Sequence, residues 1–485
     1  ILAAVTSSMS DILSRTRSAF RWTLALRIMS QLFTWFVSLF VIRFLTPADY
    51  GIVAIVETVS MLALQLASAG LGNALIRQDN LDKLFIRKIL GLLILFNLTL
   101  ALLQWFSAAK IAQFYQQPQL GQVLQITAIA FLFSPWATLA SNLLARELNF
   151  KSRAKIDLSA SVIGSMLALS LAYAGMGFWS LILANLAVTI MRAIGYTAVM
   201  KTLYLPALHF RGTGDAIKFG ATLTATGLLF TLFMKIDILI AGQFLQQNQL
   251  GIYAVAFHLA LLPLAKAMPL VNEVAYPMYA AIRHQEGEYA RVFCYIFRII
   301  TVFSFPLFYG LAAVAEDAVL LILGDSWQQA ILPLQLILLT VPLRLATNLF
   351  TPLMKALGYP STGLIHVSVS LLVTAIVIYL AAPYGVNVMA ASWLVSTPLF
   401  FLFALQLCTR RSKIPFSTII IALAPPLFAS LMMFVMIMGF NQLSGDAIPR
   451  WLNLLITVIM GALLYCTILW IGFRQRFTEA LKFRL

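Results

Sequence analysis

The chain has 485 residues, of which 61% are hydrophobic and only 10% charged, with a formal net charge of +16. A mean hydropathy of +0.92 lies far outside the soluble globular range and marks an integral membrane protein. The basic excess calls for no nucleic acid partner, because lysine and arginine retained in cytoplasmic loops facing anionic lipid account for it.

A helix needs about 20 mostly apolar residues to cross the hydrocarbon core. Apolar runs bounded by loop signals predict spans over 20–43, 50–71, 89–109, 120–143, 157–174, 178–200, 218–243, 250–273, 292–314, 330–354, 361–381, 386–408, 416–440 and 451–473. The expected fold class is an all-α polytopic membrane protein with about 14 transmembrane helices. Basic clusters such as Arg77, Lys83, Arg87 and Lys88, or Arg410, Arg411 and Lys413, fall in alternate connections, whereas the opposite connections hold only Lys110 and Arg450. That alternation predicts an even number of spans with both termini cytoplasmic. Residues 1–8 lack a charged leader, and Met9 is the expected start of the basic segment 9–22. Cys294, Cys408 and Cys466 lie in or beside apolar runs without metal or disulfide spacing.

The stretch 44–55, FLTPADYGIVAI, returns at 244–255 as FLQQNQLGIYAV, and a weaker echo links 175–179 with 384–388. Two parallel six-span lobes follow from this repeat, related by an axis along the membrane normal. The expected organisation is a basic N-terminus over 1–19, an N-lobe over 20–200, a cytoplasmic linker over 201–217, a C-lobe over 218–408, an extra helix pair over 409–473 and a tail over 474–485. A glycine-rich segment in the linker, GTGDAIKFG, has no preceding strand and does not read as a nucleotide loop.

Six cations fall well inside predicted spans rather than at their ends: Arg27, Arg192, Lys235, Lys266, Arg298 and Arg344. At a helix centre each costs about 2.5–3.5 kcal/mol on insertion scales, so depth decides which are informative. Arg344 is 11 residues from the inner-side Lys355, or about 16 Å along a helix, close to the bilayer centre. Arg27, Lys266 and Arg298 lie near enough to the inner interface for snorkelling to explain them. For Lys235 and Arg344 the competing explanation is a structural pair with a buried carboxylate. The intramembrane acids are Glu57, Asp237 and Glu273. Lys235 and Asp237, two residues apart, point to different sides of one helix. Five of the six cations lie in the inner half or at the centre, a funnel for an anion entering from the cytoplasm. Pro263, Pro269, Pro342, Pro425 and Pro426 interrupt their spans and offer kinks.

With the FLTPADYG turn, the AGLGNALI segment closing the second span and KIDILIAGQFL opening the second lobe, the whole chain resembles the polysaccharide transporter family. Within the multidrug/oligosaccharidyl-lipid/polysaccharide exporter superfamily it looks like a Wzx-type or colanic acid-type lipid-linked oligosaccharide flippase. The resemblance implies two lobes around a cavity lined by spans one, two, seven and eight. It implies movement of an undecaprenyl-pyrophosphate-linked oligosaccharide from the inner to the outer leaflet of a bacterial cytoplasmic membrane by alternating access. Matching by span carries over Arg27, Glu57, Lys235, Asp237 and Lys266; Arg344 comes from depth alone. The six cations are thus candidates for pyrophosphate binding, and Glu57, Asp237 and Glu273 for ion coupling.

No cofactor is expected beyond a coupling ion, H+ or Na+. Expected partners are the polyprenyl-pyrophosphate-linked oligosaccharide, membrane lipids and polysaccharide polymerase machinery. Gln65, Asn97, Gln104, Asn142, Asn185 and Asn348 are candidates for sugar contacts, although helix packing commonly uses such side chains. An ion-coupled drug antiporter of the same superfamily is the first alternative, but six cations against three acids fit an anionic cargo better. A membrane-embedded polymerase or ligase is the enzymatic alternative. The longest outer segment, 314–329, carries Glu316, Asp317 and Asp325 but no histidine or basic residue. No hydrolase triad or metal cluster is legible, so the chain does not read as an enzyme.

Overall fold

The computed structural model describes Met29, Gln31 and residues 33–68, 70–77, 82–201, 204–444 and 448–481, and no strand occurs among them. In lipid each backbone polar group needs an internal partner, which is why apolar runs of this length become helices. The first helices are α1 (Phe33–Phe44), α2 (Pro47–Ala67), α3 (Leu71–Arg77), α4 (Lys83–Phe114), α5 (Gln119–Thr127) and α6 (Ala130–Arg146). They are followed by α7 (Phe150–Tyr173), α8 (Trp179–Met200), α9 (Gly214–Phe244), α10 (Gln247–Ala281), α11 (Glu286–Ala313) and α12 (Ala315–Ile322). The remainder are α13 (Ile331–Leu338), α14 (Val341–Asn348), α15 (Phe350–Ala356), α16 (Ser361–Ala381), α17 (Val386–Ser412), α18 (Phe416–Ser444) and α19 (Arg450–Leu481).

Among the described residues twelve helical segments are long and apolar enough to cross a membrane, and each coincides with one of the expected spans. Of the other two expected spans, 250–273 falls on the 35-residue α10, and 20–43 is described only in its later part, where α1 lies. Span 330–354 is broken into α13, α14 and α15. The outer segment 314–329 is a folded cap rather than an open connection: α12 and a 3-10 turn over Asp325–Ala330 occupy it, and Trp327 is fully buried. Among the prolines singled out above, only Pro342 sits at a break. Backbone helix runs unbroken through Pro263 and Pro269 in α10 and through Pro425 and Pro426 in α18, as membrane helices allow when neighbours satisfy the freed carbonyls.

The chain forms two compact units, one to Lys235 and one from Ile236, so the boundary falls inside α9. In the first, α8 packs against both α6 and α7, and α4 against α5 and α6. Leu71, Leu75, Ile89, Leu90, Leu93 and Leu139 form one of its cores. The turn before α2 is a capping box in which Asp49 Oδ2 accepts from Thr46 N at 2.9 Å and Thr46 Oγ1 at 2.7 Å. Its other oxygen accepts from Phe178 N at 3.0 Å, fastening the TPADYG turn to the α7–α8 connection. The linker is also fastened: Ala207 N donates to Arg87 O at 2.9 Å, Arg87 Nε to Leu205 O at 2.9 Å and Lys88 Nζ to Arg211 O at 2.7 Å. Gly91 permits this, because a Cβ there would lie 2.3 Å from the Ala207 carbonyl oxygen.

In the second unit α11 packs on α18, α10 on α13 and α16 on α17. Its core stacks Phe293, Phe297, Phe350 and Phe401, with ring centroids 5.6–6.4 Å apart. Lipid tails are as apolar as these rings, so close packing rather than escape from water holds them together. The repeat is visible in each unit separately. Phe44 ends α1 and meets Tyr173 edge-on at 5.8 Å and 87°; Phe244 ends α9 and meets Tyr379 at 5.4 Å and 80°.

Candidate functional site

Two described charges of the second unit, Asp237 and Arg344, share one aromatic network. Helix α9 turns at Leu245 and Gln246 into α10, and the return brings Tyr253 beside Asp237. Tyr253 Oη donates to Asp237 Oδ2 at 2.7 Å, and Ile238 N donates to Asp237 Oδ1 at 2.9 Å. From α17, Trp393 Nε1 donates to Tyr253 Oη at 2.9 Å. Asp237, Tyr253 and Trp393 are 2%, 0% and 3% exposed. A carboxylate this deep persists only with its lone pairs satisfied, and this network supplies the donors.

Arg344 lies against the same network from α14. Its guanidinium carbon sits 4.0 Å from the Trp393 ring centroid and 5.2 Å from that of Phe257. Asp237 is the carboxylate whose charge bears on it. Its Nη2 is buried and makes no hydrogen bond. Stacking on two aromatic faces contributes about 2 kcal/mol or more when desolvated, yet a buried charged donor left unused costs about as much or more. The arrangement therefore fixes a planar cation with one donor unused, the chemistry that an anionic oxygen satisfies.

A second polar group lies in the first unit. Asn185 Nδ2, on α8, approaches Glu57 Oε1, on α2, at 3.4 Å, and Lys235, in α9, is the cation whose charge bears on Glu57. Lys235 and Asp237, neighbours in sequence, thus serve different units. At the repeat offset of 200, Glu57 takes the place that Phe257 has in the second unit, while Val37 and Val53 stand where Asp237 and Tyr253 stand.

Other candidates have different settings. Arg192 Nε pairs with Asp157 at 3.2 Å and its Nη2 reaches Ser161 at 3.4 Å, while Tyr196 Oη donates to Asp157 at 2.6 Å; this group joins α7 to α8. Arg298 lies one turn beyond Cys294 on α11, and its charge bears on that thiol. Arg27 lies outside the described residues, as do the side chains of Lys266 and Glu273, whose backbones belong to α10. Asn97 donates to Ala67 O and Leu93 O, and Gln104 to Leu124 O and Thr127, so their amide nitrogens serve packing. Asn142 and Asn348 donate to carbonyls within their own helices. Among the described residues no group of three or more His, Cys, Asp or Glu could hold a metal ion.

Sequence reasoning missed Tyr253, Phe257 and Trp393. Tyr253 lies in the repeated segment, where comparison with Val53 offered a signal. Trp393 is 140 residues from Tyr253, and no local pattern joins the two.

The family described as "Polysaccharide biosynthesis protein" matches residues 40–332. The teichuronic acid biosynthesis protein TuaB of Bacillus subtilis is 24% identical over 418 residues, covering 85% of this chain and 86% of TuaB. The succinoglycan biosynthesis transport protein ExoT of Rhizobium meliloti is 23% identical over 431 residues, 88% of this chain and 87% of ExoT. Among solved structures, the lipid II flippase MurJ in an inward closed conformation superposes with a TM-score of 0.73 at 13% identity, covering 94% of this chain and 99% of MurJ. That likeness establishes a shared fold.

Proposed function

Because the chain belongs to the polysaccharide biosynthesis protein family, we propose that it is a flippase for polyprenyl-pyrophosphate-linked oligosaccharides. The cargo would pass from the inner to the outer leaflet of a bacterial cytoplasmic membrane by alternating access. The observation that carries this reading is Arg344: a guanidinium in an apolar span, stacked on Trp393, with a buried Nη2 that makes no hydrogen bond. Relatives named for teichuronic acid and succinoglycan biosynthesis, and a lipid II flippase of the same fold, support a cargo of this class.

A pyrophosphate diester carries about two negative charges, and a single opposite charge at 4 Å contributes about 4 kcal/mol at an effective dielectric of 20. One such cation offsets part of the cost of stripping the headgroup of water. Arg344, in the second unit, supplies planar donors; Lys235, in the first, is a separate candidate that offers a point charge. The polyprenyl tail needs no protein site, since it stays in lipid while the headgroup crosses. Glu57 and Asp237 would be the carboxylates that respond to a proton or sodium gradient. Polymerase machinery would receive the product at the outer leaflet.

Reconstitution into liposomes with a polyprenyl-pyrophosphate-linked oligosaccharide, with proton and sodium gradients imposed separately, tests this reading. Lys235→Ala and Arg344→Ala should each slow flipping by about tenfold or more, the effect of losing one charged hydrogen bond. Unchanged flipping by both folded variants would refute the headgroup assignment.

A further inference from the structure

Helix α2 meets the first half of α9 along a seam built on glycine. Gly70, at φ +58, faces Gly220: a Cβ on Gly70 would lie 2.4 Å from the Gly220 carbonyl oxygen and 2.8 Å from its Cα. Further along, a Cβ on Gly227 would lie 2.1 Å from Gln65 Nε2. Beyond that pair come Glu57 and Lys235, whose charges bear on each other. The two close approaches, and the Glu57–Lys235 pair after them, step backward along α2 as they step forward along α9, the register of antiparallel neighbours. The backbone-to-backbone end leads through α3 to Arg77 and lies on the side of Lys83 at the start of α4 in sequence, the cytoplasmic end by the expected orientation.

We propose that this seam is a cytoplasmic gate, and that zipping it from Gly70 and Gly220 inward sets Glu57 against Lys235 so that the carboxylate displaces an anionic headgroup from the lysine. The second half of this inference rests on the reading of Lys235 as a headgroup ligand. The physical reason is competition: one ammonium in a low-dielectric setting satisfies one strong anion at a time. With the seam open, Lys235 is available to pyrophosphate; with it closed, an internal carboxylate takes that place and the cargo is released away from the cytoplasm. Asn185 holds Glu57 from the α8 side, which fixes the carboxylate for the exchange. Close glycine contact makes the seam two-state, because backbones this near either pack fully or part.

Two measurements separate the halves of the proposal. The first uses protein whose Cys294, Cys408 and Cys466 are replaced, carrying Lys235→Cys, in inside-out vesicles treated with a membrane-impermeant maleimide. Adding Gly70→Ala should wedge the seam and speed labelling several-fold; Gly227→Leu, at ordinary helical geometry, serves the same purpose if Gly70→Ala does not fold. Labelling at the unwedged rate in the folded wedge variants overturns the gate.

The second measures binding of inorganic pyrophosphate to otherwise native protein. Glu57→Gln should bind it about tenfold tighter, as expected when a charged competitor is removed, and adding Lys235→Ala should abolish the gain. Unchanged or weaker binding by Glu57→Gln overturns the displacement. If Lys235→Ala alone leaves pyrophosphate affinity intact, the headgroup reading of Lys235 fails and takes displacement with it, while the labelling result still decides the gate.

Discussion

Tyr253 donates its phenolic proton to Asp237 Oδ2 at 2.7 Å while its oxygen accepts from Trp393 at 2.9 Å. One hydroxyl thereby ties α9, α10 and α17 together and supports the carboxylate that faces Arg344. Tyr253→Phe removes both bonds at once. The expected loss is about 1.5–3 kcal/mol, the range for a hydrogen bond to a charged group, read as a lower Tm in detergent. Asp237→Asn should cost at least as much, because the amide keeps one acceptor where the carboxylate used two and removes the charge that bears on Arg344. A Tyr253→Phe protein as stable as the native one would show that the bond does not hold these helices.

Arg344→Lys keeps the charge but loses the planar stack over Trp393 and Phe257. Affinity for inorganic pyrophosphate should fall about tenfold, equivalent to roughly 1.4 kcal/mol. Titration calorimetry checks this, and a native affinity in the lysine variant would mean that charge alone suffices.

Asp49 satisfies Thr46 N, Thr46 Oγ1 and Phe178 N, all local to the turn before α2 and its neighbour. Asp49→Ala should lower stability by about 1–2 kcal/mol, as loss of a helix cap does, without weakening pyrophosphate binding. Weakened binding at unchanged Tm would instead place this turn in the cargo path.

Gly91→Val should dislodge the linker, since its Cβ would meet the Ala207 carbonyl at 2.3 Å. Backbone, unlike a long side chain, has little room to yield. Limited trypsin digestion from the cytoplasmic side should then cut faster after Arg211, a difference visible as the rate at which the full-length band is lost. Equal rates would show that the linker holds without the close approach at Gly91.

What the sequence carried by itself was the part of the protein that is periodic or compositional. Apolar runs placed the spans, because a hydrocarbon solvent leaves the backbone almost no other choice. The offset of 200 between Phe44 and Phe244 was likewise legible, and the two edge-on pairs with Tyr173 and Tyr379 express it in space. Charge depth singled out Arg344 for the same reason: a buried guanidinium is costly wherever the chain folds around it.

Only tertiary structure decided what each charge meets. Arg192 and Arg344 were both intramembrane candidates for pyrophosphate binding, yet Arg192 pairs with Asp157, while Arg344 stacks on Trp393 with Nη2 unused. Lys235 and Asp237 are two residues apart but serve different units. Partners such as Trp393, 140 residues from Tyr253, leave no local pattern, because helix packing joins faces whose separation along the chain is arbitrary. Whether an intramembrane charge is spent on structure or kept for cargo depends on those distant neighbours, and so is settled only when the helices have packed.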